Sequence, residues 1–136
     1  MLFYKPPKRV SIPSLKIDNT DIVCVNTFNS LGLLINTNLN WKPHVDKTAS
    51  KISQTIGVIN KLKLVLPQNI LITLYNSLIL SHLNYCTLAW GYEHKRISKL
   101  QKKAIRIIHK AKYHSHTDPL FKQINTLKFK DIFKYT

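Results

Sequence analysis

The sequence predicts a mainly α-helical fold that follows a small N-terminal antiparallel β segment, an α+β chain built as a helical bundle after a short β-hairpin sheet. β-branched residues and turn-forming residues dominate up to about residue 36, whereas apolar residues recur every three or four positions from Trp41 onward. Hydrophobic residues make up 44% of the 136 residues, which is enough for a packed core. We therefore expect a β part over residues 1–36 and a helical part over residues 37–136.

The β part contains three strand candidates. Residues 9–13 alternate polar and apolar side chains, residues 22–25 are β-branched apart from Cys24, and residues 28–35 form the third candidate. Gly32 lies in the middle of the third candidate, where glycine often marks a bulge or a close backbone approach. A turn cluster at residues 18–21 separates the first two candidates. So short a sheet is not expected to be stable alone.

The first helix is predicted to start near Trp41 with Pro43 in its first turn, and to end before Pro67. Its inward positions follow the helical period and are Val45, Ala49, Ile52, Ile56, Ile59 and Leu62 or Leu66. Residues 69–83 are apolar almost all round, which predicts a central buried helix. Gly91 is the expected end of the less regular stretch that follows.

Three further segments are predicted after Gly91. A basic helix runs over residues 93–112 and is followed by a loop at residues 113–116. Thr117 or Asp118 then caps a short helix with Pro119 in its first turn. The inward positions of that helix are Leu120, Phe121, Ile124 and Leu127. A last helix is expected from Asp131.

The basic helix is the strongest functional signal in the sequence. Between Lys95 and Lys112 there are eight Lys or Arg residues and no acid. Apolar residues recur every three or four positions, and they are Ile97, Leu100, Ala104, Ile108 and Ala111. Basic residues recur with the same spacing, mostly one position before these apolar residues in the sequence. One helix would thus bury one stripe and present cations on a neighbouring stripe, which suits a phosphate backbone. The candidate nucleic-acid-binding residues are Lys95, Arg96, Lys99, Lys102, Lys103, Arg106 and Lys110. The alternative interpretation is a solvated charged face.

The charge of the whole chain favours an anionic partner. Lys and Arg number 21 against 6 Asp and Glu, a formal net charge of +15 with a pI near 10.0. Nucleic acid, an anionic membrane and an acidic protein are the partner classes that such a charge favours. Lysines of the first helix would extend the basic surface, and they are Lys42, Lys47, Lys51, Lys61 and Lys63. Three aromatic rings are candidates for stacking on bases, and they belong to Tyr92, Tyr113 and His109. No base-reading motif is visible, so we expect backbone contact without sequence selectivity.

The sequence offers little for catalysis. Two-metal phosphoryl transfer requires clustered carboxylates, and the closest pair here, Asp18 and Asp21, falls on a predicted turn. Cys24 and Cys86 lie far apart without metal-ligand spacing, and His82, four residues before Cys86, has no further ligands nearby. We therefore expect no enzyme activity from this chain on its own and no metal or cofactor.

Membrane insertion and secretion are not predicted either. Residues 64–92 lack charged side chains, but polar residues and Pro67 interrupt them too often for a span of about 20 apolar residues. The first residues lack the apolar run of a signal peptide. An intracellular protein, nuclear or cytoplasmic, is the expectation. Binding of the basic helix to an anionic membrane surface is the weaker alternative, because its apolar stripe is expected to close the bundle.

Five ordered blocks of the chain resemble one protein family. They are Met1-Leu2-Phe3; residues 28–33 (Phe-Asn-Ser-Leu-Gly-Leu) with residues 39–45; residues 74–79 (Leu-Tyr-Asn-Ser-Leu-Ile) with residues 82–86 and 89–91; residues 100–108 (Leu-Gln-Lys-Lys-Ala-Ile-Arg-Ile-Ile); and residues 116–121 (His-Thr-Asp-Pro-Leu-Phe). In order and spacing they resemble the C-terminal part of the reverse transcriptase of non-LTR retrotransposons, LINE-type and jockey-like. The likeness spans nearly the whole chain.

The resemblance implies a role for each part of the chain. Residues 1–36 would be the end of the palm, and residues 28–35 would correspond to the primer-grip hairpin, with Phe28, Leu31 and Gly32 as primer-grip-like residues. Leu31 and Gly32 would let the backbone approach the primer end. Residues 37–136 would be the helical thumb and its extension, which holds the template–primer duplex.

The resemblance also implies what this chain lacks. The family polymerises with Mg²⁺ held by aspartates in a Tyr/Phe-Ala-Asp-Asp turn, and these 136 residues contain no such turn. We therefore expect a truncated fragment of an RNA-directed DNA polymerase whose residual role is non-specific binding of an RNA–DNA or DNA duplex. The missing palm and fingers of the parent polymerase are a further expected partner. The alternative function is a non-catalytic helical protein–protein interaction module, with an exposed apolar patch and self-association.

Overall fold

The fold is mainly α-helical with a small antiparallel β segment, as predicted. The computed structural model describes residues 15–23, 25–91 and 94–135, so the strand predicted at residues 9–13 lies outside the described residues. The chain divides into two compact units, Met1–His44 and Val45–Thr136. The described strands belong to the first unit, and the second unit is helical.

A short hairpin begins the described part of the first unit. Strands β1 (Lys16–Ile17) and β2 (Thr20–Asp21) pair antiparallel, and Asp18 and Asn19 connect them with φ values of 47° and 61°. Asp and Asn tolerate this left-handed backbone, so the predicted turn is confirmed at these two residues. The strand predicted at residues 22–25 is wrong. Apart from one hydrogen bond from the Ile22 N–H to the Leu15 carbonyl, the described residues there have no partner strand, and their side chains are exposed.

The second hairpin replaces the single strand predicted over residues 28–35. Strands β3 (Thr27–Ser30) and β4 (Leu33–Asn36) pair antiparallel with Phe28 opposite Ile35. Leu31 and Gly32 form the connecting turn with φ values of 49° and 83°, both positive as in a type I′ turn. Gly32 therefore reverses the chain, and it is not a bulge within one strand.

Replacing Leu31 with Asn is expected to stabilise the second hairpin by about 1 kcal/mol. Leu31 is 87% exposed, so its side chain gains little from burial, whereas its left-handed backbone costs a leucine about 1–2 kcal/mol. Asn adopts this backbone readily. Slower hydrogen exchange of the paired amides in β3 and β4 would show the gain. Leu31→Ala is the matched control, since it removes the apolar side chain and keeps the strain; equal exchange in the Asn and Ala variants would contradict the prediction.

Helix α1 (Lys42–Leu62) starts where the sequence predicted. The Asn40 Oδ1 atom accepts a hydrogen bond from the Lys42 N–H at 2.8 Å, and Pro43 lies in the first turn. The predicted inward residues Val45, Ala49, Ile52, Ile56 and Ile59 are buried, and Leu62 and Leu66 are half-buried. Pro67, with an extended backbone (φ −68°, ψ 158°), separates α1 from the next helix, as predicted.

The apolar segment that follows is helical, but the prediction of burial all round is wrong. It consists of α2 (Gln68–Tyr75), a π-helical turn (Asn76–Leu80) and α3 (Ser81–Asn84). Buried side chains recur every fourth residue and are Leu71, Tyr75, Ile79 and Leu83, while Ile70 and Leu78 are 42% and 45% exposed. Because an α-helix has 3.6 residues per turn, residues that repeat every four positions shift gradually around its surface. A π-helical turn contains more residues than an α-helical turn, so it shifts the buried residues back in the opposite direction. Among the described residues, no helix has both the length and the hydropathy to cross a bilayer.

The remaining helices complete the second unit. They are α4 (Thr87–Trp90), which ends at Gly91 as predicted, α5 (His94–Ile108), α6 (Asp118–Gln123) and α7 (Phe129–Tyr135). The Trp90 and Phe129 rings stack with centroids 5.3 Å apart in the core.

Two details of the region around α6 differ from the prediction. Pro119 lies in the first turn of the helix, as predicted, but Thr117 precedes it without a side-chain capping hydrogen bond. Leu127 was expected to point inward, and its side chain is 52% exposed. The backbone carbonyl of Leu127 is the group that contacts the core, because it accepts a hydrogen bond from Gln101.

Candidate nucleic-acid interface

The buried face of α5 agrees with the predicted stripe and is wider. Ile97, Ala104 and Ile108 are fully buried, and Leu100 is half-buried. Gln101 and Ile105 are buried as well, although the sequence analysis did not assign them to the core. The helix was predicted to continue to residue 112, whereas α5 ends at Ile108.

The cations of α5 lie on the face opposite the core, and not on a stripe beside it. Exposed lysines occupy this face over about two turns, and they are Lys95, Lys99, Lys102 and Lys103. At 3.6 residues per turn, the arc that includes these lysines with Arg96 and Arg106 covers about 120° of the helix surface. In the described part of the chain, none of the four lysines forms an ion pair. We call these four lysines the lysine face.

Arg96 differs from the lysine face because it is neutralised. Its Nη1 atom pairs with Oδ1 of Asp46 in α1, fifty residues earlier in the chain. Both side chains remain partly exposed, so the pair joins α1 to α5 at the surface and contributes little stability. Arg96 is therefore less available to a phosphate than the lysines are, and its role in binding nucleic acid stays a prediction.

Arg106 is half-buried and holds the loop that follows α5. Its Nε atom donates a hydrogen bond to the Ser115 carbonyl at 3.0 Å, and its guanidinium carbon lies 5.9 Å from the centroid of the Tyr113 ring. This is a cation–π distance. Arg106 therefore fixes Tyr113 beside the end of the helix, and its prediction as a plain surface cation is incomplete.

Lys110 lies beyond the helix, which contradicts the prediction that α5 continues to residue 112. The Ala111 N–H donates to the Arg106 carbonyl at 2.9 Å, and the Lys110 N–H donates to the Ile107 carbonyl at 3.2 Å. Lys110 has a φ of 52°. This is the Schellman pattern that ends helices, here with lysine at the position that glycine usually occupies. Lys110 is exposed, but it does not continue the lysine face.

One carboxylate lies near the lysine face. The Asp118 Oδ1 atom pairs with Nζ of Lys128 at 2.9 Å. That hydrogen bond lowers the pKa of Asp118, and the charges of Lys128 and Lys102 act in the same direction. Lys102 is thus the member of the lysine face whose charge is partly offset.

A groove of about 480 Å³ opens where the ends of α1 and α5 meet the loop after α5. Its cations are Lys63, Lys103, Arg106 and Lys110, and its other lining residues include Leu64 and Tyr113. No carboxylate is among the described residues that line it. We call this feature the basic groove. Sequence reasoning named Lys63 and Tyr113 as candidates, but the pattern within α5 gave no sign that they meet.

Among the residues that the structure describes, the other candidates from the sequence belong to neither the lysine face nor the basic groove. Lys47, Lys51 and Lys61 are exposed on α1, Lys42 belongs to the first unit, and Tyr92 lies outside the described residues.

His109, predicted to stack on bases, is engaged with the protein. Its Nδ1 atom is 2.9 Å from Nε2 of Gln68, and burial lowers the pKa of the His109 imidazole. Both observations favour a neutral ring that holds α2 against the end of α5.

The primer-grip-like residues lie in the second hairpin. Phe28 is on β3 and is 52% exposed, while Leu31 and Gly32 form the turn. In the part of the first unit that the structure describes, the acidic residues Asp18 and Asp21 belong to the other hairpin. Within the described ranges, no group of three or more His, Cys, Asp or Glu side chains is arranged to hold a metal ion.

Comparison with protein-family models, curated proteins and solved structures finds no match to this chain. We therefore infer the function from the residues, their charges and their geometry. The lysine face and the basic groove are the two features that point to a ligand, and residues of α5 contribute to both.

Proposed function

We propose that the chain binds the sugar-phosphate backbone of an RNA–DNA or DNA duplex without sequence selectivity, as the thumb-like part of a non-LTR retrotransposon reverse transcriptase. The observation that favours binding is the lysine face, four exposed lysines opposite the buried side of one helix. Phosphate contacts from lysine position a duplex and carry no sequence information, which agrees with the lack of a base-reading motif.

The length of the lysine face suits several phosphates. The axial rise from Lys95 to Lys103 is about 12 Å at 1.5 Å per residue. One strand of a duplex carries a phosphate about every 3.4 Å along the axis, so roughly four phosphates pass over that distance. The lysine face supplies four exposed cations, which is a comparable number, and Lys110 supplies a fifth beyond the end of α5.

The polymerase origin is supported by the five resembling blocks of sequence. Polymerisation by this chain alone is not part of the proposal, because the 136 residues contain no paired aspartates to hold Mg²⁺. A thumb-like module requires neither metal nor catalytic group, since its contribution is to hold the duplex.

Duplex affinity is expected to fall steeply with salt. Five phosphate contacts predict a slope of about −4 to −5 for log K against log salt concentration. Fluorescence anisotropy with a labelled RNA–DNA duplex and a DNA duplex of unrelated sequence, between 50 and 300 mM KCl, measures the slope. Similar affinities for the two duplexes are expected. A slope near zero, or no binding to either duplex, would sink the proposal.

A protein–protein interaction module is the second candidate function, and exposed apolar side chains favour it. Leu64 and Val65 after α1 are 82% and 81% exposed, and Ile70 and Leu78 are partly exposed on the apolar segment. Exposed apolar side chains that adjoin one another, as Leu64 and Val65 do in sequence, are typical of contact surfaces. Size-exclusion chromatography at low and high salt separates the candidates, because apolar self-association persists at high salt and binding to nucleic acid does not.

A further inference from the structure

The basic groove is not explained by duplex binding. The lysine face is a convex helix surface that can follow a backbone, whereas the basic groove is concave and has an aromatic ring in its wall. Bases within a duplex are stacked on their neighbours and do not present a free face to a protein ring. The groove thus contains a binding element, Tyr113, for which a duplex supplies no partner.

The lining of the groove combines the two chemistries of a nucleotide. Lys103, Arg106 and Lys110 provide positive charge for a phosphate, and Tyr113 and Leu64 provide apolar surface for a base. The volume of about 480 Å³ lies within the range of roughly 300–1,000 Å³ that is usual for small-molecule sites. The groove therefore has room for about one nucleotide.

The net charge around the basic groove favours an anion, although two helix carboxyl ends nearby contribute negative charge. The carboxyl ends of α1 and α5 are close to the groove, and each contributes about half a negative charge. Four cations line the groove and no described lining residue is acidic. The sum is positive by about three charges, so a phosphate group is attracted.

The Tyr113 ring is held in place before any ligand arrives. The guanidinium of Arg106 lies 5.9 Å from its centroid, the His114 ring meets it edge-on at 5.1 Å, and the Arg106 bond to Ser115 anchors the loop. The ring is nevertheless 77% exposed. A fixed, exposed ring can stack on a base with little loss of conformational freedom on binding.

We propose that the basic groove binds one nucleotide of a single strand, with its phosphate against Lys103 and Lys110 and its base stacked on Tyr113. This inference rests on the proposed nucleic-acid binding and adds a single-strand site to it. The site accepts any base, because stacking on an aromatic ring and charge attraction do not distinguish one base from another.

Two Tyr113 variants test the inference on the full chain. Tyr113→Ala is expected to weaken binding of a labelled single-stranded 12-mer of dT roughly tenfold or more, because base stacking is lost. Tyr113→Phe keeps the ring and is expected to bind within twofold of the wild type. Duplex affinity, measured in parallel by the same anisotropy assay, should be unchanged in both variants.

A strand without bases separates stacking from charge. The wild-type protein should bind an oligomer of abasic sites as weakly as the Tyr113→Ala variant binds the dT 12-mer. The Tyr113→Ala change should not weaken binding of the abasic oligomer any further. The Lys110→Ser change should weaken binding of the dT 12-mer and of the abasic oligomer alike. Equal loss of duplex and single-strand affinity in Tyr113→Ala, or no loss for dT, would overturn the inference. If the inference is overturned but the wild-type protein still binds the duplex, the proposed function stands. If the wild-type protein binds neither the duplex nor the single strand, the proposed function and the inference are both rejected.

Discussion

Replacing Lys95, Lys99 and Lys103 together with Ala is expected to weaken duplex binding by roughly 10²- to 10³-fold at 0.1 M salt. All three side chains are exposed on the lysine face. If five cations contact phosphates, removing three is expected to make the salt slope about 3 units less negative, because each contact contributes about 0.9. Anisotropy titrations of the triple variant across the salt series measure both quantities.

The choice of residues follows from the contacts of the two arginines. Arg96 already pairs with Asp46, so its removal would release a carboxylate and confuse the result. Arg106 holds the loop through Ser115, so its loss would disturb the basic groove as well as remove a charge. Lysines without such contacts report on phosphate binding more directly.

A variant with the same change in charge is available as a control. Lys122, Lys130 and Lys134 are exposed on α6 and α7, and α7 packs on the buried side of α5 through Phe129 and Gln101. Replacing these three lysines with Ala lowers the net charge equally and is expected to change the slope by less than 1 unit. Equal effects of the two triple variants would show that total charge, and not the lysine face, determines binding.

The helical period alone predicted most of α1, because its buried residues repeat regularly and prolines lie near both ends. The apolar segment after Pro67 was harder to interpret. Its apolar residues occur on every face, so no period in the sequence distinguishes the buried stripe. The stripe is determined by the packing of Leu71 and Tyr75 in the core and by the π turn.

The sequence predicted the excess of positive charge at the candidate site, but it did not predict the contacts between the side chains there. The pattern within α5 located the lysine face, since charged side chains avoid the core. It could not show that Asp46, fifty residues away, neutralises Arg96, or that Tyr113 turns back over Arg106. Such contacts depend on which helices pack together and on where α5 ends, at a lysine that local propensity would not select.

Gln101 is the clearest residue that sequence reasoning missed. A glutamine beside lysines is typical of a helix surface, yet Gln101 is 1% exposed. Its Nε2 atom donates to the Tyr75 hydroxyl at 2.9 Å and to the Leu127 carbonyl at 3.0 Å, and its Oε1 atom accepts from the Phe129 N–H at 2.7 Å. One side chain thus connects α2, α5 and the start of α7.

Gln101→Ala is expected to lower the free energy of unfolding by about 3 kcal/mol or more. The change leaves the buried Tyr75 hydroxyl and Phe129 N–H, and the partly buried Leu127 carbonyl, without their partner. Each unsatisfied buried group costs about 1–3 kcal/mol. Urea denaturation followed by circular dichroism measures the loss. Gln54→Ala is the matched control, since Gln54 is an exposed glutamine of α1, and its effect should stay within about 0.5 kcal/mol. Similar stabilities of the two variants would contradict the assigned role of Gln101.

Tyr75→Phe tests the same network through pH. Burial raises the pKa of Tyr75 to about 12, with the Gln101 hydrogen bond acting in the opposite direction. Since the folded pKa exceeds the unfolded value of about 10, the stability from the neutral hydroxyl is complete below pH 10 and decreases as the pH rises towards 12. The wild type should therefore be more stable than Tyr75→Phe by about 1 kcal/mol at pH 8. That difference should shrink and then reverse above pH 10, because only the wild type has this hydroxyl to ionise. A difference that stays constant up to pH 11 would show that the hydroxyl is hydrated and not buried in the network.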